Sequence, residues 1–380
     1  MTLSNRQHYH QLDALRGVAA LMVVVNHFVL LGPLAWVPKT PLRVFALGHE
    51  AVILFFVLSG FVLTLQLRSS RGISYRDYLV KRICRIYLPY LAVLVATFSI
   101  VDAMIVQPVG WAGNWFNAVW SGPFTGTEIA DHLLFIGQFK ANQMNPVIWS
   151  LVYEMRISLI MPLVVLWTVW VPAVTCLGVA LCASAVAFAL VMVEGAGASS
   201  ANFSSDWAMT LHYLSIFVVG SLLAAHRARW RQWMMKPGRV RIVLGVSLVL
   251  YFVSRSVMSI NSGAAGQFFF DWCIALGSAG LIASALVSTE FARLLKLRPI
   301  AFLGEISYSL YLTHAIVLLT VVHLMPAAAM RWYAIVLAAA LVIPVAALTH
   351  YVIERRTITL GQFLTTRRAE AAASGANQTS

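Results

Sequence analysis

The sequence predicts an all-α polytopic membrane protein with about ten transmembrane helices and both termini in the cytoplasm. Of its 380 residues, 60% are hydrophobic and only 11% are charged, whereas soluble domains usually carry about 25% charged residues. Apolar runs of about 20 residues, the length that crosses a ~30 Å hydrocarbon core, recur along the chain. Basic residues gather in alternate connecting segments, which indicates the orientation of the spans.

Ten apolar runs are long enough to cross a bilayer. Each is predicted to be helical, because unpaired backbone groups in lipid cost several kcal/mol apiece. The predicted spans are 12–31, 47–67, 83–106, 147–171, 173–193, 207–225, 242–260, 267–287, 300–325 and 332–353.

The fourth and fifth spans are separated only by Pro172 as a turn signal. Merging them would give one helix on the order of 70 Å long at 1.5 Å per residue. The merger would also move most later basic residues outside, against the positive-inside rule. Two spans are therefore predicted here.

The net charge of +13 becomes a topology signal once its location is known. With the N-terminus inside, most of the 27 Lys and Arg residues fall in cytoplasmic segments. This placement gives no support to a nucleic-acid partner, and it predicts an integral protein of a cytoplasmic membrane. The basic residues left outside are Lys39, Arg43, Lys140, Arg255 and Arg331.

One transmembrane domain is predicted over residues 1–360, followed by a cytoplasmic tail, 361–380, that is expected to be disordered. The polar start of the chain predicts no removable signal peptide. Four cysteines without a CxxC pair or metal-ligand spacing predict neither a disulfide framework nor a metal site. HExxH, GxSxG and Walker patterns do not occur in the sequence, so zinc-protease, serine-elbow and nucleoside-triphosphate chemistry have no positive support.

Arg16 and His27 lie in the first span, and ionisable residues within a membrane are functional hypotheses by default. Eleven helical steps place them about 16 Å apart along the axis and about 20° apart in azimuth, on one stripe. Arg16 is then at the cytoplasmic edge and His27 in the outer half. Taken singly, Arg16 could be a snorkelling anchor and His27 a packing residue.

Lys81, Arg82 and Arg85 lie at the cytoplasmic start of the third span. Arg82 and Arg85 are three residues apart and share a helix face, and arginine binds phosphate oxygens bidentately. A cationic clamp about 16 Å below an imidazole suits an acyl-coenzyme A, whose neutral pantetheine arm can carry the thioester inward. The alternative is ordinary positive-inside charge, which is preferred for Lys81.

If His27 acts as a buried base, it needs a partner that orients its ring. Glu154 in the fourth span is the first candidate, because its depth in the membrane is comparable with that of His27. Glu50 is the second. The alternatives for Glu154 are an ion pair with Arg156 or a hydrogen bond between helices. Asp271 has no partner that the sequence identifies.

Several further polar residues lie in the spans. Ser59 and Gly60 are small enough to let helices approach closely, which is favoured over direct contact with the reacting atoms. Tyr311 and His314 share a helix face with Ser307, so they either line the donor or acceptor site or make interhelical hydrogen bonds. His49 is expected to be interfacial.

Two other features have structural or functional interpretations. His350 and Glu354, one turn apart, are expected to form a structural pair. The segment 107–146 contains Trp111, Trp115 and Trp120. These tryptophans are predicted either to anchor a re-entrant loop at the membrane interface or to form a platform for a sugar acceptor.

Five separated motifs resemble the integral-membrane acyltransferase-3 family. They are LDALRGVAALMVVVNH with its Arg-x10-His spacing, FFVLSGF, KRICRIYLP, WSLVYE and GEISYSLYLTH, followed by IERR. The resemblance implies a bacterial inner-membrane enzyme with acyl-CoA, by default acetyl-CoA, as donor and no permanently bound cofactor. It also implies a glycan or lipid-linked saccharide as acceptor, and His27 and Arg16 as essential residues.

His27 is expected to be the general base for an acceptor hydroxyl, with a transient acyl-imidazole as the alternative. A secondary transporter would explain buried His27, Glu154 and Arg16 equally well. It does not explain why the cations gather at a coenzyme-arm distance from the histidine. A scaffold for polysaccharide assembly is the third hypothesis, and it predicts that His27 and Arg16 are replaceable.

Overall fold

The computed structural model describes residues 9–69, 74–140, 142–194, 205–258 and 264–376, and these ranges contain helices and connecting segments without a β-strand. Two π-helices interrupt the α-helices, at Ile83–Tyr87 and His350–Glu354. The helices are α1 (His10–Val29), α2 (Gly48–Ser69), α3 (Tyr75–Arg82), α4 (Leu88–Ala103), α5 (Asn114–Ala118), α6 (Gly126–Leu134), α7 (Ile148–Trp170), α8 (Ala173–Val193), α9 (Trp207–Ala225), α10 (Arg227–Met234), α11 (Arg239–Met258), α12 (Ala264–Val287), α13 (Thr289–Leu295), α14 (Arg298–Glu305), α15 (Ser307–Leu324), α16 (Arg331–Thr349) and α17 (Arg355–Ala376).

Within the described ranges, nine helices are long and apolar enough to cross a membrane. A tenth span is counted if α10 and α11, which are bent by 110°, form one broken span. The predicted all-α polytopic fold with about ten spans is therefore confirmed. The break between the fourth and fifth spans is also present, because α7 ends at Trp170 and Pro172 is the N-cap of α8.

Two predicted boundaries differ from the structure. The ninth span is interrupted at Ile306, between α14 and α15. The last helix, α17, passes residue 360 and runs to Ala376, so residues 361–376 are helical where disorder was expected. It is supported by packing on the start of the third span, where a Cβ on Gly361 would lie 2.8 Å from Cβ of Cys84. Residues 377–380 of the tail lie outside the described residues. So do Arg6 and Arg71, two of the basic residues predicted to be cytoplasmic.

The centre of the bundle is a close crossing of α2 and α9. A Cβ on Gly60 would lie 2.2 Å from the Phe217 carbonyl oxygen, and one on Gly220 would lie 2.0 Å from that of Val57. Only hydrogen fits at such distances, so the two backbones touch directly. The predicted role of Gly60 in close helix packing agrees with this contact.

The periphery of the bundle is apolar. Helix α8 exposes Val174 and Val193, and α16 exposes Tyr333 and Val336. In water such an exposed belt would drive aggregation, whereas lipid tails solvate it. The bundle therefore presents a lipid-facing surface and keeps its polar side chains inside.

Residues 107–140 and 142–146, here called the cap segment, fold over one end of the bundle. The Trp111 indole donates to the Pro326 carbonyl at 2.9 Å, and the Trp120 indole to that of Met144 at 2.8 Å. Two of the three tryptophans thus make hydrogen bonds within the protein, and interfacial anchoring stays a prediction. Burial lowers the pKa of His132 in α6 to about 4, because the charged ring loses hydration. It is therefore neutral at pH 7.

A buried polar network joins four helices near the cap segment. The Asp271 carboxylate contacts His49 Nε2 at 2.5 Å and His212 Nε2 at 3.1 Å. Ser184 Oγ lies 2.8 Å from His212 Nδ1 and accepts a hydrogen bond from the Trp272 indole at 3.0 Å. Asp271, for which the sequence identified no partner, is the centre of this network, and His49 is its member on α2 rather than a solely interfacial residue.

Replacing Asp271 with Ala is expected to destabilise the protein by about 3–5 kcal/mol, because both histidines lose their acceptor inside the bundle. The matched control is Glu290→Ala, which breaks the exposed 3.7 Å ion pair with Arg241 and should change stability by about 0–1 kcal/mol. Thermal unfolding of both variants in detergent measures the difference. Equal midpoints for the two variants would contradict a stabilising network.

Candidate active site

A cavity of about 680 Å³ opens at the end of the bundle opposite the cap segment, here called the basic face. Its size lies within the range of small-molecule and cofactor sites. Side chains from α1, α2, the third span, α7, α14, α15 and the second π-helix form its walls. They include Arg16, Val52, Phe55, Ser59, Arg82, Arg85, Ser150, Glu154, Lys296, Arg298, Glu305, Tyr308, Tyr311 and Glu354.

The three arginines predicted to bind the donor meet in this cavity: Arg16, Arg82 and Arg85 all line it. Lys296 and Arg298 join them from the segment before α15. The sequence assigned these last two only to the positive-inside bias. Their position next to the late motif was the available signal, since Arg298 begins α14, the helix in which that motif starts.

Arg82 is buried and held by α7. Its guanidinium donates to Glu154 Oε1 and to Ser158 Oγ, both at 2.9 Å. Ser59 Oγ donates to the same Glu154 oxygen at 3.2 Å. Arg82 therefore has a fixed direction in the cavity wall, and part of its charge is neutralised by Glu154.

The structure pairs Glu154 differently from the prediction that it orients His27, because Arg82 and Ser59 both donate to its Oε1 and the described hydrogen bonds of His27 go to Val23 and His314. The third span enters the bundle deeply enough to place the buried guanidinium of Arg82 at the depth of Glu154. The alternative ion pair between Glu154 and Arg156 is absent from the described contacts. Arg156 instead donates to the carbonyls of Ile136 and Ser205, at 2.9 and 2.8 Å.

Both π-helices border the cavity. The first carries Arg85 to the wall, and the Ile86 carbonyl within it accepts a hydrogen bond from Tyr308 at 2.7 Å. In the second, Glu354 accepts from Ser309 at 2.6 Å and contacts His350 Nδ1 at 2.9 Å. The predicted pair of His350 and Glu354 is thus present. π-Helices are rare and are enriched at functional sites.

His27 lies in α1 above the cavity and is buried. Its Nδ1 is 3.0 Å from the Val23 carbonyl oxygen and 3.0 Å from Nε2 of His314 on α15. His314 is fully buried, and its own Nδ1 is 2.9 Å from the Leu310 carbonyl oxygen. His314, predicted to contact substrate, is therefore held against His27.

These contacts assign the proton positions of the neutral histidine pair. A ring nitrogen facing a carbonyl must carry the hydrogen, so His314 donates from Nδ1 and its Nε2 is an acceptor. His27 Nδ1–H then donates to Val23 and to His314 Nε2. The lone pair of His27 is consequently on Nε2, which is the nitrogen that can accept a proton from a substrate.

The cavity ends one aromatic ring short of the histidine pair. Tyr311 lines its inner end, and the centroid of the Tyr311 ring is 6.2 Å from that of His314. The Tyr311 hydroxyl lies 2.5 Å from Ser150 Oγ, and the ring meets Phe55 edge-on at 5.6 Å. Ser59 and Tyr311, two of the predicted substrate residues, are on the cavity wall.

The opposite side of His27 is covered by the cap segment. The Trp115 ring lies 5.0 Å from the His27 ring, between centroids. Glu50, the second candidate to orient His27, is buried on α2 and close enough to Tyr251 of α11 to interact with it electrostatically. Trp115 is thus the aromatic neighbour of His27 on this side, and its role as an acceptor platform stays a prediction.

The fold and the cavity define a polytopic membrane protein that holds an imidazole between a basic cavity and a covered opposite face. A family model described as an acyltransferase domain, that of the acyltransferase-3 family, matches residues 9–351. The chain belongs to this family and is a membrane acyltransferase. No curated protein and no solved structure matches it.

Proposed function

We propose that this protein transfers an acyl group, by default acetyl, from acyl-CoA to a hydroxyl of a glycan or lipid-linked saccharide. The observation that carries the proposal is the alignment of Arg16 and His27 along α1, with the 680 Å³ cavity between the cations and the histidine pair. In the predicted orientation the basic face is cytoplasmic, where acyl-CoA is found. The acceptor approaches from the cap segment.

The donor's pyrophosphate is placed against the cations of the cavity. Arg16 and Arg85 supply charge, and Arg82 is fixed by Glu154 and Ser158. Charge-assisted hydrogen bonds from guanidinium groups suit phosphate oxygens. The pantetheine arm is neutral, so it can enter the part of the cavity that Val52 and Phe55 line, and the thioester reaches His27 when Tyr311 moves aside.

His27 acts as a general base through Nε2. It takes the proton of the acceptor hydroxyl while that oxygen attacks the thioester carbonyl carbon. The C–S bond then breaks, and the imidazolium returns the proton to the departing thiolate, so the products are an acyl ester and free coenzyme A. The acyl-imidazole route uses the same lone pair, because the nucleophile must also be Nε2.

His314 is a positioning residue in this mechanism. It accepts the His27 Nδ1–H and so keeps the lone pair on Nε2. It also stabilises the imidazolium that forms during transfer, because the hydrogen bond then has a charged donor. Charge-assisted hydrogen bonds contribute about 1.5–3 kcal/mol.

Replacing His314 with Ala is therefore expected to lower kcat by about tenfold to a hundredfold, in line with 1.4 kcal/mol per factor of ten, with little change in the KM for acyl-CoA. His314→Gln supplies an amide oxygen as acceptor and should restore part of kcat. Steady-state kinetics of both variants test this. A rise in KM at unchanged kcat would show that His314 binds substrate instead.

The function itself is tested with purified protein in detergent, labelled acetyl-CoA and an oligosaccharide or lipid-linked saccharide. Labelled ester and free coenzyme A are the expected products. The family assignment does not favour the alternative, a secondary transporter. Uptake of a substrate into vesicles without any acylated product would support the transporter and contradict the acyltransferase.

A further inference from the structure

A second cavity, of about 470 Å³, opens on the basic face beside the first. It lies between the start of α1, α10, the end of α12 and α13. Three cations, three polar uncharged side chains and an apolar wall line it: Arg231, Arg293, Lys296, Gln11, Ser288, Thr289 and Leu286. No carboxylate among the described residues lines this cavity.

The charges of the two cavities differ. The first balances its cations with Asp13, Glu154, Glu305 and Glu354. The second presents three positive charges to one concave space without an acidic residue in its lining. Like charges around one concave surface raise the local concentration of anions, so this cavity is suited to an anionic group.

Lys296 lines both cavities, so the two spaces meet at this side chain. A single ligand can therefore extend from one into the other. Gln11 is sixteen residues before His27 on α1, which places the second cavity about 24 Å along the helix axis from the imidazole. A ligand that fills both must be long, neutral in its inner part and strongly anionic at its outer end.

We propose that the second cavity binds the 3′-phosphoadenosine end of the acyl-CoA donor, with the pyrophosphate and pantetheine in the first. This inference rests on the proposed function. Arg231, Arg293 and Lys296 surround the 3′-phosphate, and Leu286 and Val287 offer an apolar wall to the adenine ring. The chemistry recognised is a phosphate monoester, which the headgroup of phosphatidic acid also carries.

The test compares acetyl-CoA with acetyl-3′-dephospho-CoA as donors for the wild-type protein and for a double variant, Arg231→Ala with Arg293→Ala. The wild type should have a KM at least about tenfold lower for acetyl-CoA, which corresponds to about 1.4 kcal/mol. In the double variant the KM for acetyl-CoA should rise to that of the dephospho donor, whose own KM should not change.

Arg241→Ala is the matched control, since Arg241 is exposed, pairs with Glu290 and lines neither cavity. It should keep the wild-type preference for acetyl-CoA. Equal use of the two donors by the wild type would overturn the inference while leaving the acyltransferase function standing. Failure of the wild type to use or bind either donor would instead contradict the proposed function.

A second arm separates the donor from a lipid. Binding of phosphatidic acid is measured by native mass spectrometry for the wild type and the double variant. Unchanged lipid binding together with lost donor discrimination supports the inference. Loss of phosphatidic acid binding with no discrimination between the donors would assign the cavity to a lipid headgroup and overturn it.

Discussion

Replacing His27 with Ala is expected to abolish acyl transfer while the amount of folded protein stays at the wild-type level. General-base catalysis typically contributes about 10²- to 10⁴-fold, and the acyl-imidazole route would be lost completely with the ring. In the histidine pair, the described hydrogen bonds involve His27 Nδ1 and both ring nitrogens of His314. The lone pair of His27 Nε2 is therefore the one that is left to accept a proton. Transfer of labelled acetyl to acceptor, normalised to monodisperse protein on size exclusion, measures the effect.

The control for this variant is His27→Gln, which keeps a polar side chain of similar length and removes the base. It should be folded and equally inactive, so that loss of activity cannot be attributed to packing. Acylation within tenfold of wild type by either variant would contradict the role of His27.

Replacing Gly220 with Ala is expected to destabilise the protein strongly, although Ala favours a helix by about 1 kcal/mol over Gly. The new methyl group would lie 2.0 Å from the Val57 carbonyl oxygen, so α2 and α9 must separate. Overpacking of this kind costs about 1–3 kcal/mol and more where only backbone can yield. The unfolding midpoint in detergent and the yield of monodisperse protein should both fall.

Gly245 on α11 offers the matched control, since a Cβ there meets nothing within 4 Å. Gly245→Ala should be neutral or slightly stabilising through helix propensity alone. If the two alanine variants unfold at the same temperature, the close crossing of α2 and α9 does not limit stability. The paired design separates steric contact from the general effect of removing a glycine.

The alignment of Arg16 and His27 was predictable because both lie on one helix. Once the apolar run fixes the helix, 3.6 residues per turn fix their relative azimuth and separation. The contacts of Glu154 and His314 were not predictable in this way. They depend on how deeply α3 and α15 sit relative to α7 and α1, and hydropathy gives the limits of a span only to within several residues.

The helical tail and the role of Asp271 show the same limit. The sequence after Arg368 is polar and small, and its composition alone favours disorder. The helix persists from α16 through the second π-helix and packs on the third span. Asp271 has no charged neighbour in sequence, and its two histidine partners come from helices that are distant along the chain.

The closure of the cavity by Tyr311 has an electrical consequence. Before the donor binds, water that enters from the basic face carries the potential of that face up to the inner end of the cavity, where Tyr311 and Phe55 meet. The membrane voltage then falls over the thin layer between this ring and the cap segment, rather than over the whole ~30 Å core. A proton gained by His27 crosses part of that layer, and each charge moved through 100 mV is worth about 2.3 kcal/mol. We therefore expect the membrane voltage to act on the protonation of His27 while Tyr311 closes the cavity.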